Sequence, residues 1–147
     1  MKKNISKILF LVLISFLTGC GKKTLVCNGS INQNDVNYEV SVTGNFINDK
    51  LNMQTIKMET DLSNYLQYTT IESFYELYKE QYEKFNEYNG ISTTVTKGDN
   101  SVIVVMEIDL NKVDSETYQK LDVGSGSLEI SLEAFKEEFK KMDFTCE

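Results

Sequence analysis

Residues 91–110 read Ile91-Ser92-Thr93-Thr94-Val95-Thr96-Lys97-Gly98-Asp99-Asn100-Ser101-Val102-Ile103-Val104-Val105-Met106-Glu107-Ile108-Asp109-Leu110, and this stretch decides the fold. Two runs rich in β-branched residues flank the turn signal Gly98-Asp99-Asn100, which predicts a hairpin. In its second arm Val102, Val104, Met106, Ile108 and Leu110 share one face, while Ile103 and Val105 put apolar groups on the other. A strand apolar on both sides belongs in the middle of a sheet.

Working back towards the N-terminus, Ile71, Phe74, Tyr75, Tyr78, Tyr82 and Phe85 recur at the spacing of one helical face, with Glu72, Glu76, Lys79, Glu80, Glu83 and Lys84 opposite. The spacing predicts a helix over about 70–88. Thr69-Thr70-Ile71-Glu72 resembles a capping box at its start, and Asn89-Gly90 closes it as a left-handed cap. Further upstream, Val36, Tyr38, Val40 and Val42 alternate with Asn37, Glu39, Ser41 and Thr43, as in a half-buried strand. Asn48-Asp49 supplies a turn into a second strand from Lys50 to Thr60. Leu25-Val26-Cys27-Asn28 predicts a short first strand ended by Gly29-Ser30.

Downstream of the hairpin, Asp114 or Ser115 caps a short helix through Tyr118 and Leu121, which Gly124-Ser125-Gly126-Ser127 breaks. Ser131 caps a last helix with the stripe Leu132, Phe135, Phe139 and Met142. Lys140 and Lys141 in its final turn complement the helix dipole. The order β-β-β-α-β-β-α-α, without a βαβ rhythm, implies an α+β domain over 25–147. Its antiparallel sheet of about five strands carries helices packed on one face.

Residues 1–19 are of another kind. Lys2, Lys3 and Lys7 precede the uncharged run Ile8 to Phe16, and Leu17-Thr18-Gly19-Cys20 follows. This is the layout of a signal peptide. The apolar run is short for a membrane span, since ~30 Å of hydrocarbon takes about 20 helical residues. Leu17 to Cys20 also matches a lipobox at every position, so cleavage before Cys20 and lipidation of its thiol are expected. Two acyl chains, at roughly 0.8 kcal/mol per buried CH₂, hold a protein on a membrane where one chain does not. Residues 20–24 then read as a lipidated N-terminus and tether, with the domain at the extracytoplasmic face of the cell membrane.

Composition narrows the remaining chemistry. The whole chain carries 15 Lys+Arg and 22 Asp+Glu, a net −7. Loss of Lys2, Lys3 and Lys7 with residues 1–19 leaves 12 against 22, a net −10. Such a surface repels nucleic-acid phosphates. There is no His, Pro or Trp, and every cationic residue is Lys. Imidazole bases, His-ligated metals and bidentate Arg clamps are therefore absent. No cofactor is implied, and the chain reads as non-enzymatic.

Cys27 and Cys146 remain once Cys20 is lipidated. In an oxidising compartment the simplest pairing is a disulfide closing nearly the whole domain. A pair of free small apolar residues or a two-thiolate metal site are the alternatives, and two sulfurs without His do not complete a tetrahedral zinc site unless carboxylates help.

The lipobox, the Thr69-Thr70 helix start, Met106-Glu107-Ile108-Asp109-Leu110 with Lys112-Val113-Asp114 after it, and the terminal Met142-Asp143-Phe144 together resemble the YehR-like family of small bacterial lipoproteins. The likeness spans most of the mature region. It implies an α+β domain, lipid anchoring and no assigned biochemical role.

The tyrosines on the helix suggest an aromatic platform, but Tyr75, Tyr78 and Tyr82 share the stripe of Ile71 and Phe85 and are expected to be core. Tyr65, Tyr68 and Tyr88 lie off it and are better interface candidates. Asp99, Glu107, Asp109 and Asp114 lack the compact loop that calcium requires and read as solvated turn and strand residues. Two functions survive. The first is a noncatalytic module that binds a macromolecular envelope partner through a sheet face or edge left uncovered, expected to show an apolar patch. The second is a receptor for a small molecule or ion, with a pocket between sheet and helices.

Overall fold

A computed structural model describes residues 21–33, 36–124 and 126–147. Cys20 and the signal segment lie outside the described residues. The elements run β1 (Lys22–Gln33), β2 (Val36–Ile47), β3 (Lys50–Asp61), α1 (Ile71–Glu83), a 3₁₀ turn (Lys84–Glu87), β4 (Ile91–Lys97), β5 (Ser101–Asp109), α2 (Ser115–Lys120), α3 (Leu132–Lys141) and β6 (Thr145–Cys146). All strand pairs are antiparallel, in the order β4-β5-β3-β2-β1-β6. The architecture is α+β, and β5 lies inside the sheet as its two-sided apolar pattern requires.

Three details depart from the sequence expectations. The sheet has six strands, because the terminal Thr145–Cys146 pairs with Cys27 and Asn28. The first strand starts at Lys22, taking in the residues expected to form a tether, and runs through Gly29-Ser30 without turning. Gly29 is there for room: a Cβ would lie 2.4 Å from the Phe144 ring, which packs directly over the strand. At the start of α1 the N-cap is Thr70, whose Oγ1 accepts from the Ser73 amide at 3.3 Å, while Glu72 pairs with Lys97 instead of reaching back to the cap.

The β2–β3 turn has Asn48 at φ 51° and Asp49 at φ 64°, two left-handed residues matched to the twist of a tight hairpin. Beyond it, Phe46 faces Leu51 but Asn45 faces Met53, so Asn52 is an extra residue. This bulge lets both Leu51 and Gln54 point inward, which explains the mixed polarity of the strand.

One face of the sheet carries the core, in two clusters. The first joins Cys27, Val42, Phe46, Leu51 and Ile108 to Tyr118, Phe135, Phe139 and Phe144 beneath α2 and α3. The second joins Val95, Val102, Val104 and Leu62 to Ile71, Phe74, Tyr78 and Tyr82 of α1. Within the first, the Tyr118 hydroxyl donates to Gln54 Oε1 at 2.7 Å and Gln54 Nε2 donates to the Val123 carbonyl at 3.0 Å. The amide of a residue only 1% exposed is thereby satisfied on both ends.

The opposite face is open and polar. Its cross-strand rows include Val26-Thr43-Thr55-Glu107-Ser92, Asn28-Ser41-Lys57-Val105-Thr94 and Ser30-Glu39-Glu59-Ile103-Thr96. Ile103, Val105 and Val26 are interrupted by hydroxyls and charges, so no continuous apolar surface forms there.

Candidate functional site: a tyrosine-lined groove

A concave apolar surface lies where the β1–β2 hairpin runs past the helices. Register puts Ile31 opposite Tyr38 and Gln33 opposite Val36, all on the helix-bearing face. Facing them across Met58 of β3 are Phe74, Leu77, Tyr78, Gln81 and Tyr82 of α1, with Leu62 and Tyr65 closing the end. Together they enclose a groove of about 480 Å³. Ile31 is 47% exposed and Leu77 55%, so apolar lips stand in solvent on both sides.

None of these lining residues carries a charge, although the chain as a whole is strongly acidic. Burial pushes the Tyr78 phenol up to about 12, the nearby Thr60 hydroxyl opposing and Tyr38 reinforcing the shift. Burial raises Tyr82 as well, again with Tyr38 contributing. These phenols therefore stay protonated at neutral pH and present neutral O–H groups. Thr60 sits between Met58 and Leu62, and its Oγ1 is one of two buried side-chain oxygens without a hydrogen-bond partner among the described residues. The other, Thr93 Oγ1, belongs to β4.

The helical tyrosines divide their roles. Tyr78 and Tyr82 pack on the second core cluster and also form the groove wall, while Tyr75 lies under the Lys79 and Lys97 ammonium groups at 5.7 and 5.3 Å. No residue of α1 is fully buried. The stripe is thus core on its inner side and groove wall on its outer. Of the other tyrosines, Tyr65 closes the groove, Tyr68 is 81% exposed, and Tyr88 stacks beside Phe85 at 6.3 Å. Leu77 and Ile31 were legible only as apolar residues off the main stripes, and Val36 as the first residue of the alternating strand.

The remaining sequence candidates fall elsewhere. Cys27 and Cys146 are joined by a disulfide with Cα atoms 4.0 Å apart, bridging β1 and β6. Asp114 caps α2 through the Thr117 amide, whose hydrogen bond is the main cause holding its carboxyl below the usual range. Asp109 is lowered chiefly by Lys112, 2.9 Å away. No cluster of three or more His, Cys, Asp or Glu suited to a metal occurs among the described residues.

Residues 29–145 match the model of a family described as a protein of unknown function, DUF1307. The chain belongs to that family. Two uncharacterized lipoproteins resemble this DUF1307 chain along nearly its whole length. One, from Listeria innocua, is 27% identical over 142 residues, covering 97% of this chain and 91% of the relative. The other, from Listeria monocytogenes, is 24% identical with the same coverage. Among solved structures, the NMR structure of the E. coli YehR protein superposes with a TM-score of 0.65 at 21% identity, covering 86% of this chain and 92% of the other. That of a Streptococcus pneumoniae protein gives 0.61 at 12% identity, covering 86% and 85%. The two structural likenesses show the fold of the DUF1307 domain. No helix among the described residues is long and apolar enough to cross a membrane.

Proposed function

We propose that the protein is a lipid-anchored, noncatalytic binding module at the extracytoplasmic face of the cell membrane, and that its binding site is the groove between α1 and the β1–β2 hairpin. The anchoring half of this reading rests on the Lys-rich start, the apolar run and Leu17 to Cys20, with lipoprotein names on two full-length relatives as support. Residues 1–19 are removed, Cys20 carries the lipid, and the folded domain begins at Lys22, close behind it.

The binding half rests on one observation, an uncharged groove with protruding apolar lips on a chain of net −7. Its chemistry suits an uncharged ligand or segment with apolar groups and hydrogen-bond acceptors for the tyrosine hydroxyls. A pocket between sheet and helix favours this site over the open sheet face, whose polar rows provide no apolar patch. The absence of His and Arg from the sequence supports a role in binding and not in catalysis.

Two measurements test the halves separately. Wild type should carry a lipid-sized mass and partition into membranes, and Cys20→Ser should do neither; an unmodified, soluble wild type overturns the anchor. Nile red, an uncharged apolar dye, should bind the Cys20→Ser form saturably and lose that binding in Leu77→Glu. Equal dye binding by both proteins overturns the groove.

A further inference from the structure

Sheet edges are where chains add to one another, and this molecule treats its two edges differently. On the β4 edge, Asn86 from the 3₁₀ turn accepts from the Thr93 amide and donates to the Thr93 carbonyl, standing in for a neighbouring strand. On the β1 edge, β6 covers only a short stretch. The Val26 amide donates to Glu147 and the Val26 carbonyl accepts from it, both at 2.9 Å. Even-numbered residues of β1 therefore turn their backbone groups towards β6, and odd-numbered ones towards β2. Pairing with β6 ends at Asn28. The backbone groups of Ser30 and Asn32 point outward along an edge that no described strand covers.

That bare stretch borders the groove, since Ile31 and Gln33, the intervening side chains, line it. A strand laid beside Ser30 and Asn32 projects every second side chain onto the same face as Ile31. Resting on the groove reading above, we infer that the groove's partner is an extended, uncharged peptide segment of another protein, added as a strand to the distal half of β1 with alternate apolar side chains entering the groove. Backbone pairing then supplies register, and the pocket selects side chains. The protonated phenols of Tyr78 and Tyr82 stand in its wall.

Two features define this partner further. On the outer side of α1, Glu76, Glu80 and Glu83 border the Leu77 lip and outnumber Lys79 and Lys84 there, so cationic residues beside the apolar segment complement the rim. A second copy of this chain does not fit. An antiparallel pairing of two β1 edges points the two Lys22 ends in opposite directions, and two lipid anchors then cannot enter one membrane.

The test uses the Cys20→Ser form and two probes: Nile red, and a blocked synthetic heptapeptide of alternating valine and threonine with lysine at each end. The peptide is expected to bind with a Kd on the order of 100 µM. Asn32→Pro removes an outward amide that the β1–β2 ladder does not use, so the edge tolerates it. It should weaken the peptide by roughly tenfold or more while leaving Nile red binding and the melting temperature unchanged. Backbone N-methylation of the peptide at alternate residues should abolish its binding to wild type, which makes the same case without touching the protein. Nile red binding without peptide binding overturns strand addition and leaves the groove standing. Peptide binding indifferent to both Asn32→Pro and N-methylation also overturns it. Failure of both probes overturns the groove itself.

Discussion

Breaking the Cys27–Cys146 disulfide should remove about a third or more of the stability of a domain this size. The bond closes a loop with a sequence separation of 119 residues. The chain-entropy relation gives about 5 kcal/mol for such a loop, and measured losses for native disulfides in small exported domains run at roughly 2–5 kcal/mol. The expected loss is therefore ~3–5 kcal/mol, a fall in melting temperature of roughly 10–20 °C at this chain length. Urea titration of the Cys20→Ser form, oxidised and fully reduced, is the direct assay, because reduction keeps both sulfur atoms in the fully buried Cys27 environment. A Cys27→Ala, Cys146→Ala variant should lose a further ~1 kcal/mol for the volume it deletes. The entropic origin has its own signature: the urea m-value should rise on reduction, as the unfolded chain expands once its ends are released. A reduced protein within about 1 kcal/mol of the oxidised one, with an unchanged m-value, would refute the reasoning and place the stability in β6 packing alone.

Gly29→Ala should destabilise by about 1–3 kcal/mol in urea titration, because Phe144, buried against Phe139, has little freedom to withdraw from the new methyl group. Tyr118→Phe should cost roughly 1–3 kcal/mol by leaving Gln54 Oε1 buried without its donor, with no change in Nile red binding. Alkali should unfold the protein early. Tyr78 and Tyr118 are both pushed to about 12 by burial, so the native state holds these protons more tightly than the unfolded chain. Their contribution is complete below the unfolded value of about 10 and declines as pH rises from there through the folded values. Difference titration at about 295 nm of wild type against Tyr78→Phe and against Tyr118→Phe should show each of these phenols, among the eight tyrosines, ionising only with loss of structure; either one titrating near 10 in the folded protein would contradict the assignment.

The strands, the long helix and both core stripes were legible because each has its own period in the sequence: two for β2 and β5, near 3.6 for α1 and α3. Gly29-Ser30 misled because glycine marks both turns and close approaches, and the partner that decides between them, Phe144, lies far along the chain. The sixth strand was illegible for a related reason. Two residues have no period, and Thr145–Cys146 becomes a strand only because the disulfide and Phe144 lay it against β1. The groove was half visible: the tyrosines stood out, but their stripe matched core packing equally well. What makes them a wall is the overhang of β1 and β2 beyond α3, a matter of strand length and register that the sequence does not state.

That overhang also orients the module. Ile31 is nine residues along β1 from Lys22, so about 30 Å of strand separates the end proposed to be anchored from the groove lip. A groove meant to take up lipid from its own membrane would gain from lying near the anchor, and this one lies at the far end. The disulfide and first core cluster hold the middle of β1 against β6, α2 and α3, leaving the distal part of β1 with an edge that no described strand covers. A tethered protein cannot search for partners by free diffusion in three dimensions. On the proposed anchoring, a groove at the far end of β1 stands away from the membrane, which widens the zone in which the inferred peptide partner can meet it.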